Sequence, residues 1–222
     1  MQVDYRFPWL CLDTGRVMRM LSWAPHNPGF VAARHIMWRE VRNADLPPER
    51  DAIVWLGDEM QAIGRTDAVG MLTSRKIATW RQAHQISEGA RLDCVATVGL
   101  SNAERAGAPA PRAQDLAASW GTINIALVLD TGLSDAGFIE ALGIAASART
   151  AAVIDSGAMT PTGPATGTGT DCIVIAAHAG QTRWCGLHTA LGQAIGDVVY
   201  RAVRAGADDW MTETGGRAYP LG

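Results

Sequence analysis

Thr122-Ile123-Asn124-Ile125-Ala126-Leu127-Val128-Leu129, followed closely by Ser134-Asp135-Ala136-Gly137-Phe138-Ile139-Glu140-Ala141-Leu142, is the stretch on which the fold class turns. The first run is short, apolar and partly β-branched, as a core strand requires. Ser134 has N-cap chemistry, and Phe138, Ile139, Leu142, Ala146, Arg149 and Val153 follow at helical spacing until Gly157 stops the helix. Downstream, residues 172–177 form a further strand run behind Asp171, and residues 187–205 form a last helix with Leu187, Leu191, Ile195, Val198 and Val199 on one face. Upstream, residues 92–99 read as a strand feeding a turn and residues 68–72 as another strand. A helical pattern after Pro47 and Pro48 carries Ile53, Leu56 and Met60. Strands and helices interleave without a repeat or a domain-sized linker. The expectation is a single α/β domain over residues 1–222, with a mixed β-sheet packed with helices.

The remaining segments are read from turn chemistry. Two apolar runs flank Asp13-Thr14-Gly15, which predicts a β-hairpin over residues 9–23. His26-Asn27-Pro28-Gly29 is a cluster of turn formers, and residues 30–41 after it suit a short helix. Residues 104–119 suit a surface loop. Residues 157–170, Gly-Ala-Met-Thr-Pro-Thr-Gly-Pro-Ala-Thr-Gly-Thr-Gly-Thr, are too rich in glycine, proline and threonine for regular structure and read as a working loop.

Composition narrows the function classes. The 222 residues are 48% hydrophobic and 18% charged, so a large core is affordable and disorder is excluded for most of the chain. Nineteen basic against 22 acidic residues, a formal charge of -3, lack the basic excess that a nucleic-acid partner needs. Lys76 is the only lysine. Cys11, Cys94, Cys172 and Cys185 are far apart and form no C-x-x-C pair, which argues against a disulfide scaffold or a zinc site. No basic-then-apolar segment opens the chain and no uninterrupted apolar stretch has the length of a span, so a cytoplasmic protein without a membrane partner is expected.

Four segments together resemble one family. They are Thr97-Val98-Gly99-Leu100-Ser101-Asn102-Ala103, Gly121-Thr122-Ile123-Asn124-Ile125, Ala165-Thr166-Gly167-Thr168-Gly169-Thr170-Asp171 and Gly186-Leu187-His188-Thr189-Ala190-Leu191-Gly192. In that order they are similar to the adenosylcobinamide amidohydrolase (CbiZ) family. The likeness extends upstream to Met20-Leu21-Ser22-Trp23-Ala24-Pro25 and Gly70-Met71-Leu72-Thr73, and covers roughly residues 20–205. It implies hydrolysis of the amide joining aminopropanol to the corrin ring, giving adenosylcobyric acid in corrinoid salvage. It also implies a small-molecule corrinoid partner and no cofactor, with a homo-oligomer left open. This chain departs from the family pattern at His26-Asn27-Pro28-Gly29, where a glycine cluster is usual. It departs again at Ala146-Ser147-Ala148-Arg149, where Thr-Glu-Ala-Lys is common. The second departure keeps open a corrinoid-binding member without hydrolysis, the first a hydrolase of a different amide. A phosphate-binding enzyme rests only on the Thr-Gly loop, since no Walker motif is present.

Amide hydrolysis needs a nucleophile or activated water, a base, a proton donor for the leaving amine and donors for the oxyanion. Asn102 and Asn124 offer carboxamides for the oxyanion or the substrate amide; each alternatively closes a turn. Ser101 stands in a Gly99-Leu100-Ser101-Asn102-Ala103 run that echoes a nucleophile elbow but lacks its last glycine. Thr168, Gly169 and Thr170 supply backbone N–H groups and hydroxyls to a substrate, and Asp171 is the expected base or amide-binding carboxylate. His188 is expected just inside the last helix as a proton donor. Ser22 and Trp23 end a strand. Strand ends at Ser22, Asn102, Asn124 and Asp171 are expected to converge on one cleft, with the Trp23 indole available to a flat ring. His178, Cys185 and His188 lack metal-site spacing, so no metal is expected.

Overall fold

The computed structural model describes residues 1–42, 44–47, 49–109 and 121–216. In chain order the first elements are β1 (Gln2–Arg6), β2 (Trp9–Ser22), β3 (Gly29–Glu40), α1 (Ala52–Ala62), β4 (Val69–Thr73), β5 (Arg81–Ser87), β6 (Ala90–Val98) and β7 (Ala103–Glu104). They are followed by β8 (Ile123–Leu133), α2 (Asp135–Asp155), β9 (Met159–Thr160), β10 (Gly163–Pro164), β11 (Gly167–Thr168), β12 (Cys172–Ala179) and α3 (Ala190–Glu213). One mixed sheet runs β4-β3-β2-β12-β8-β6-β5, with β1 paired to β2. The β8–β12 and β3–β4 pairs are parallel, as the helices between them, α2 and α1, require, and the others are antiparallel.

Each central strand is buried on both faces. Ile123, Ile125, Leu127 and Leu129 of β8 point to one side, where α2 and α3 cover them with Phe138, Ala141, Ala145, Val153, Ile195, Val198 and Val199. On the other side no helix is needed for closure. Leu10, Leu12, Met20, Ile36, Trp38, Val95, Ala126, Val128, Val174 and Ala176, drawn from strands across the whole sheet, pack on one another. The sheet therefore curls over its own inner face. A direct mark of the curl is the Asn124 side chain on β8, which donates to the Leu72 carbonyl of β4 at 2.7 Å although β3, β2 and β12 lie between those strands in the sheet. Outside β3 and β4, α1 packs Leu56 and Met60 on Met37 and Ala68.

The bend that permits the curl lies where a hairpin was expected. Residues 9–22 form one strand, and its pairing with β3 slips register between Asp13 and Met18. Asp13 accepts the Gly15 N–H at 2.7 Å and the Nε and Nη2 of Arg34 at 2.7 and 2.7 Å, while the Thr14 hydroxyl reaches the Arg16 and Arg34 carbonyls. Turn-forming residues here make a bulge rather than a reversal. The reversal comes at residues 26–29, and the ribbon's tip folds back on β4 through paired His26–Gly70 backbone bonds of 3.2 and 3.1 Å. Asn27 adds bonds to the Thr66 and Ala68 carbonyls.

The helix expected over residues 30–41 is strand β3. With both faces covered, Ile36 to Glu40 are buried without a break, and the period of two that identifies a strand disappears. Two exposed edge strands, β1 and β5, carry too few apolar residues to announce themselves. By length and composition alone α2 would pass as a membrane span, although Glu140 and Arg149 interrupt its apolar run; here its buried side, including Phe138, Ala141 and Val153, packs on the sheet. Of the loop expected over residues 104–119, residues 110–119 lie outside the described residues, as does Pro48.

The bulge makes a pH-dependent contact. Hydrogen bonding from the Arg34 guanidinium, helped by the Gly15 N–H, lowers the Asp13 carboxyl from 3.8 to about 2. Because the folded value is depressed, the stabilisation is fully present above pH 3.8 and is lost as pH falls toward about 2. An NMR titration is expected to place the Asp13 midpoint near about 2, with Asp13→Asn flattening stability against pH across that window. A midpoint at the ordinary value would contradict the contact.

Candidate active site

At the edge of the sheet where β8 and β12 begin, Asp171 is almost enclosed, its side chain only 7% exposed. Oδ1 accepts the Ile123 N–H at 3.2 Å and the Thr168 hydroxyl; Oδ2 accepts the Thr168 N–H at 3.0 Å and pairs with the Arg149 guanidinium from α2. Burial pulls the Arg149 pKa below the ordinary arginine value. A buried cation and carboxylate that meet in this way hold each other in place. Gly167 shows how closely the chain passes: a Cβ there would lie 2.5 Å from Asp171 Oδ2 and would strike the Arg149 guanidinium. Glycine in this loop makes room for the ion pair.

The Thr-Gly loop is thus less free than its composition suggests. β11 pairs with β7, Gly167 opposite Glu104 and Thr168 opposite Ala103, and the Gly169 N–H donates to the Asn102 carbonyl at 3.1 Å. β9 and β10 form a second small ribbon within the expected loop. Asn102 reaches Thr170 Oγ1 at 3.4 Å, and the Trp23 indole N–H donates to the Asp171 carbonyl at 2.6 Å. Ser101 lies in the turn after β6, where a Cβ on Gly121 would come within 2.6 Å of the Ser101 nitrogen. Ser22 is buried in the sheet opposite Val174, its hydroxyl accepting the Ala24 N–H at 3.3 Å.

Beside this clamp opens a cleft of about 200 Å³. Pro25, Val41, Leu46, Ala52, Leu72 and Cys172 give it apolar walls; Thr73, Ser74, Thr122, Asn124 and Thr170 supply its polar groups. The Thr122 hydroxyl donates to the Thr170 carbonyl at 2.8 Å and lies 3.4 Å from Asn124 Oδ1. A carboxamide nitrogen carries two protons. With one engaged by the Leu72 carbonyl, Asn124 keeps a second for a ligand carbonyl. Cys172 is no nucleophile here, because burial pushes its thiol up to about 12.

The four expected strand ends therefore share one edge of the sheet, but not one cavity. Asn124 and Thr170 face the cleft, whereas Ser22 and Asp171 hold its frame. Asp171, expected as a base, has both oxygens engaged, by the Ile123 and Thr168 N–H groups, the Thr168 hydroxyl and Arg149. His188 is not brought to them. It is exposed, lies before the Thr189 N-cap rather than inside α3, and follows the far end of β12, a strand whose length, about 3.3 Å per residue, separates the two edges. Ser147, at the position of the family's usual glutamate, is exposed on α2 and bonds the Gly143 carbonyl at 3.0 Å; it does not line the cleft. Thr122 and Arg149 were not foreseen as site residues, although Arg149 is the only charge between Glu140 and Asp155 of an apolar helix and so demands a countercharge. Among the described residues no three His, Cys, Asp or Glu side chains gather as a metal would require.

A family model described as adenosylcobinamide amidohydrolase, CbiZ, matches residues 1–215. The chain belongs to that family. No curated protein matches it. Among solved structures it is similar to a protein from Pyrococcus horikoshii OT3, with 10% identity, 92% of this chain and 78% of that one covered, and a TM-score of 0.46. It is also similar to the L-aminopeptidase D-Ala-esterase/amidase of Ochrobactrum anthropi, with 12% identity, coverage of 89% and 76%, and a TM-score of 0.43. At these values no residue role is carried across.

Two outcomes are expected from substitution. Asp171→Asn leaves Arg149 buried without its countercharge, and should lower stability by about 3–5 kcal/mol in urea unfolding. Adding Arg149→Met should recover part of that loss; a stable single mutant with lost turnover would instead make Asp171 a base. Cys172→Ala should keep turnover within about threefold, since a buried thiol gives almost no thiolate at neutral pH.

Proposed function

We propose that this chain hydrolyses the amide linking aminopropanol to the corrin periphery of adenosylcobinamide, releasing adenosylcobyric acid in cytoplasmic corrinoid salvage. The family match over residues 1–215 carries this reading. The placement of the family-like segments supports it: Thr122 and Asn124 come from one, Thr170 from a second, and Asn102, which bonds Thr170, from a third. Leu72 and Thr73 come from the upstream run.

The chemistry follows from what the cleft offers. The remaining N–H of Asn124 polarises the scissile carbonyl, and the Thr122 and Thr170 hydroxyls orient water against it. Asn102 and the Asp171–Arg149 pair fix Thr170 without touching substrate. Water adds its oxygen to the acyl carbon, its two protons pass to the departing nitrogen as the C–N bond breaks, and the products are the corrinoid carboxylate and aminopropanol as the protonated amine. The apolar walls keep bulk water from competing for the Asn124 donor.

Purified protein incubated with adenosylcobinamide is expected to yield adenosylcobyric acid and aminopropanol by liquid chromatography with mass detection. Asn124→Ala should slow this by about a hundredfold or more, the scale of losing one oxyanion donor. Tight corrinoid binding without product would support the non-hydrolytic member instead; product from another amide alone would support the different hydrolase.

A further inference from the structure

The curl of the sheet brings a second hydrogen-bond donor beside Asn124. Met71 of β4 and Ala126 of β8 both pack on the inner face of the sheet. Thr73 and Asn124, each two residues along its strand from one of these, turn their side chains to that same face. The Leu72 carbonyl that accepts from Asn124 is one peptide link from Thr73, so the two side chains meet across the curl. Thr73 is only 2% exposed and lines the cleft with Asn124.

What sets Thr73 apart is the use of its proton. A hydroxyl has one proton to donate and two lone pairs. The Thr73 oxygen accepts the Arg75 N–H at 3.0 Å, a bond in which it can only be the acceptor. Its own proton meets no acceptor among the described residues and is available to a ligand. The other two threonines differ. Thr122 donates to the Thr170 carbonyl at 2.8 Å and Thr170 to the Gly121 carbonyl at 3.4 Å, which leaves them lone pairs with which to hold a water. Arg75 is itself fixed: its side chain is 5% exposed, its guanidinium donates to both Glu213 oxygens at 2.5 and 2.8 Å, and its Cζ lies 5.1 Å from the centre of the Trp210 ring. The last turn of α3 thereby holds the chain that orients the Thr73 hydroxyl.

We infer that Thr73 is a second oxyanion donor, sharing with Asn124 the oxygen of the scissile carbonyl as it gains charge. This rests on the proposed hydrolase reading. Thr73 keeps its proton throughout and only donates a hydrogen bond; water supplies the acyl oxygen and both protons taken by the departing nitrogen. Asn124, held by the Leu72 carbonyl, and Thr73, held by the Arg75 N–H, are oriented before substrate arrives, which is what makes such donors effective. After cleavage the same two donors face an oxygen of the carboxylate product.

The test compares wild type, Thr73→Val and Thr73→Ser in steady-state turnover of adenosylcobinamide, with melting temperature as the check on folding. Thr73→Val keeps the shape and removes the donor; its kcat is expected to fall about tenfold or more with KM within about threefold of wild type. Thr73→Ser restores the hydroxyl and should stay within about fivefold of wild-type kcat. A folded Thr73→Val that loses less than this, or loses it wholly through KM, overturns the inference alone, as does a Thr73→Ser that shares the full loss. If Thr73→Val does not fold, a crystal structure of wild type with adenosylcobyric acid decides. One carboxylate oxygen should lie within hydrogen-bond distance of both Thr73 Oγ1 and Asn124 Nδ2; a carboxylate that reaches Asn124 but not Thr73 overturns the inference. A wild-type protein that does not cleave adenosylcobinamide overturns the hydrolase reading itself, and this inference with it.

Discussion

The site hangs on one buried ion pair. Asp171 stands where β12 begins and Arg149 projects from the C-terminal half of α2, one turn beyond its buried Ala145, so their contact joins the sheet edge to the helix layer. Through Asp171 the same contact reaches the Ile123 N–H at the start of β8 and the Thr168 N–H in the loop. A charge pair with 17% and 7% side-chain exposure is worth little as net stabilisation, because desolvation opposes it. Its value is positional: removing either partner strands the other, so the loop cannot leave without a large cost. Thr170 is thereby presented to the cleft on a frame that the small β7–β11 ribbon stiffens.

A second constraint comes from the sheet. Curling β4 over β8 brings Leu72 above Asn124, and the hydrogen bond between them orients the carboxamide. That curl depends on the bulge after Asp13 and on the folded-back tip at His26 and Asn27. The departure from the family's glycine cluster thus falls on a structural reversal that ties the ribbon to β4, with Pro25 beside it in the cleft wall. The departure at Ser147 falls on an exposed helix face. Neither places a foreign side chain among the polar groups around Asn124.

What could be read from the sequence, and what could not, follows from burial and distance. The β8 run, the Ser134 cap and the Gly157 stop were legible because local chemistry alone determines them. β3 was misread as a helix because a strand covered on both faces shows no alternation, and Asp13-Thr14-Gly15 was misread as a reversal because turn chemistry serves a bulge equally well. Asn102, Asn124, Thr170 and Asp171 were found as neighbours of one edge, yet their division into those facing the cleft and those holding it depends on hydrogen bonds between segments about fifty residues apart or more. His188 was assigned by its segment's likeness to the family, which carries no information about which end of β12 it follows.

The most direct measurement is a crystal structure of the protein with adenosylcobyric acid and aminopropanol bound together. The account requires the carboxyl of the acid and the aminopropanol to meet between Asn124, Thr122 and Thr170, with the Asp171–Arg149 pair intact behind the loop. A corrinoid bound at the opposite edge, near His188, or one whose carboxylate pairs with Arg149 in place of Asp171, would contradict it.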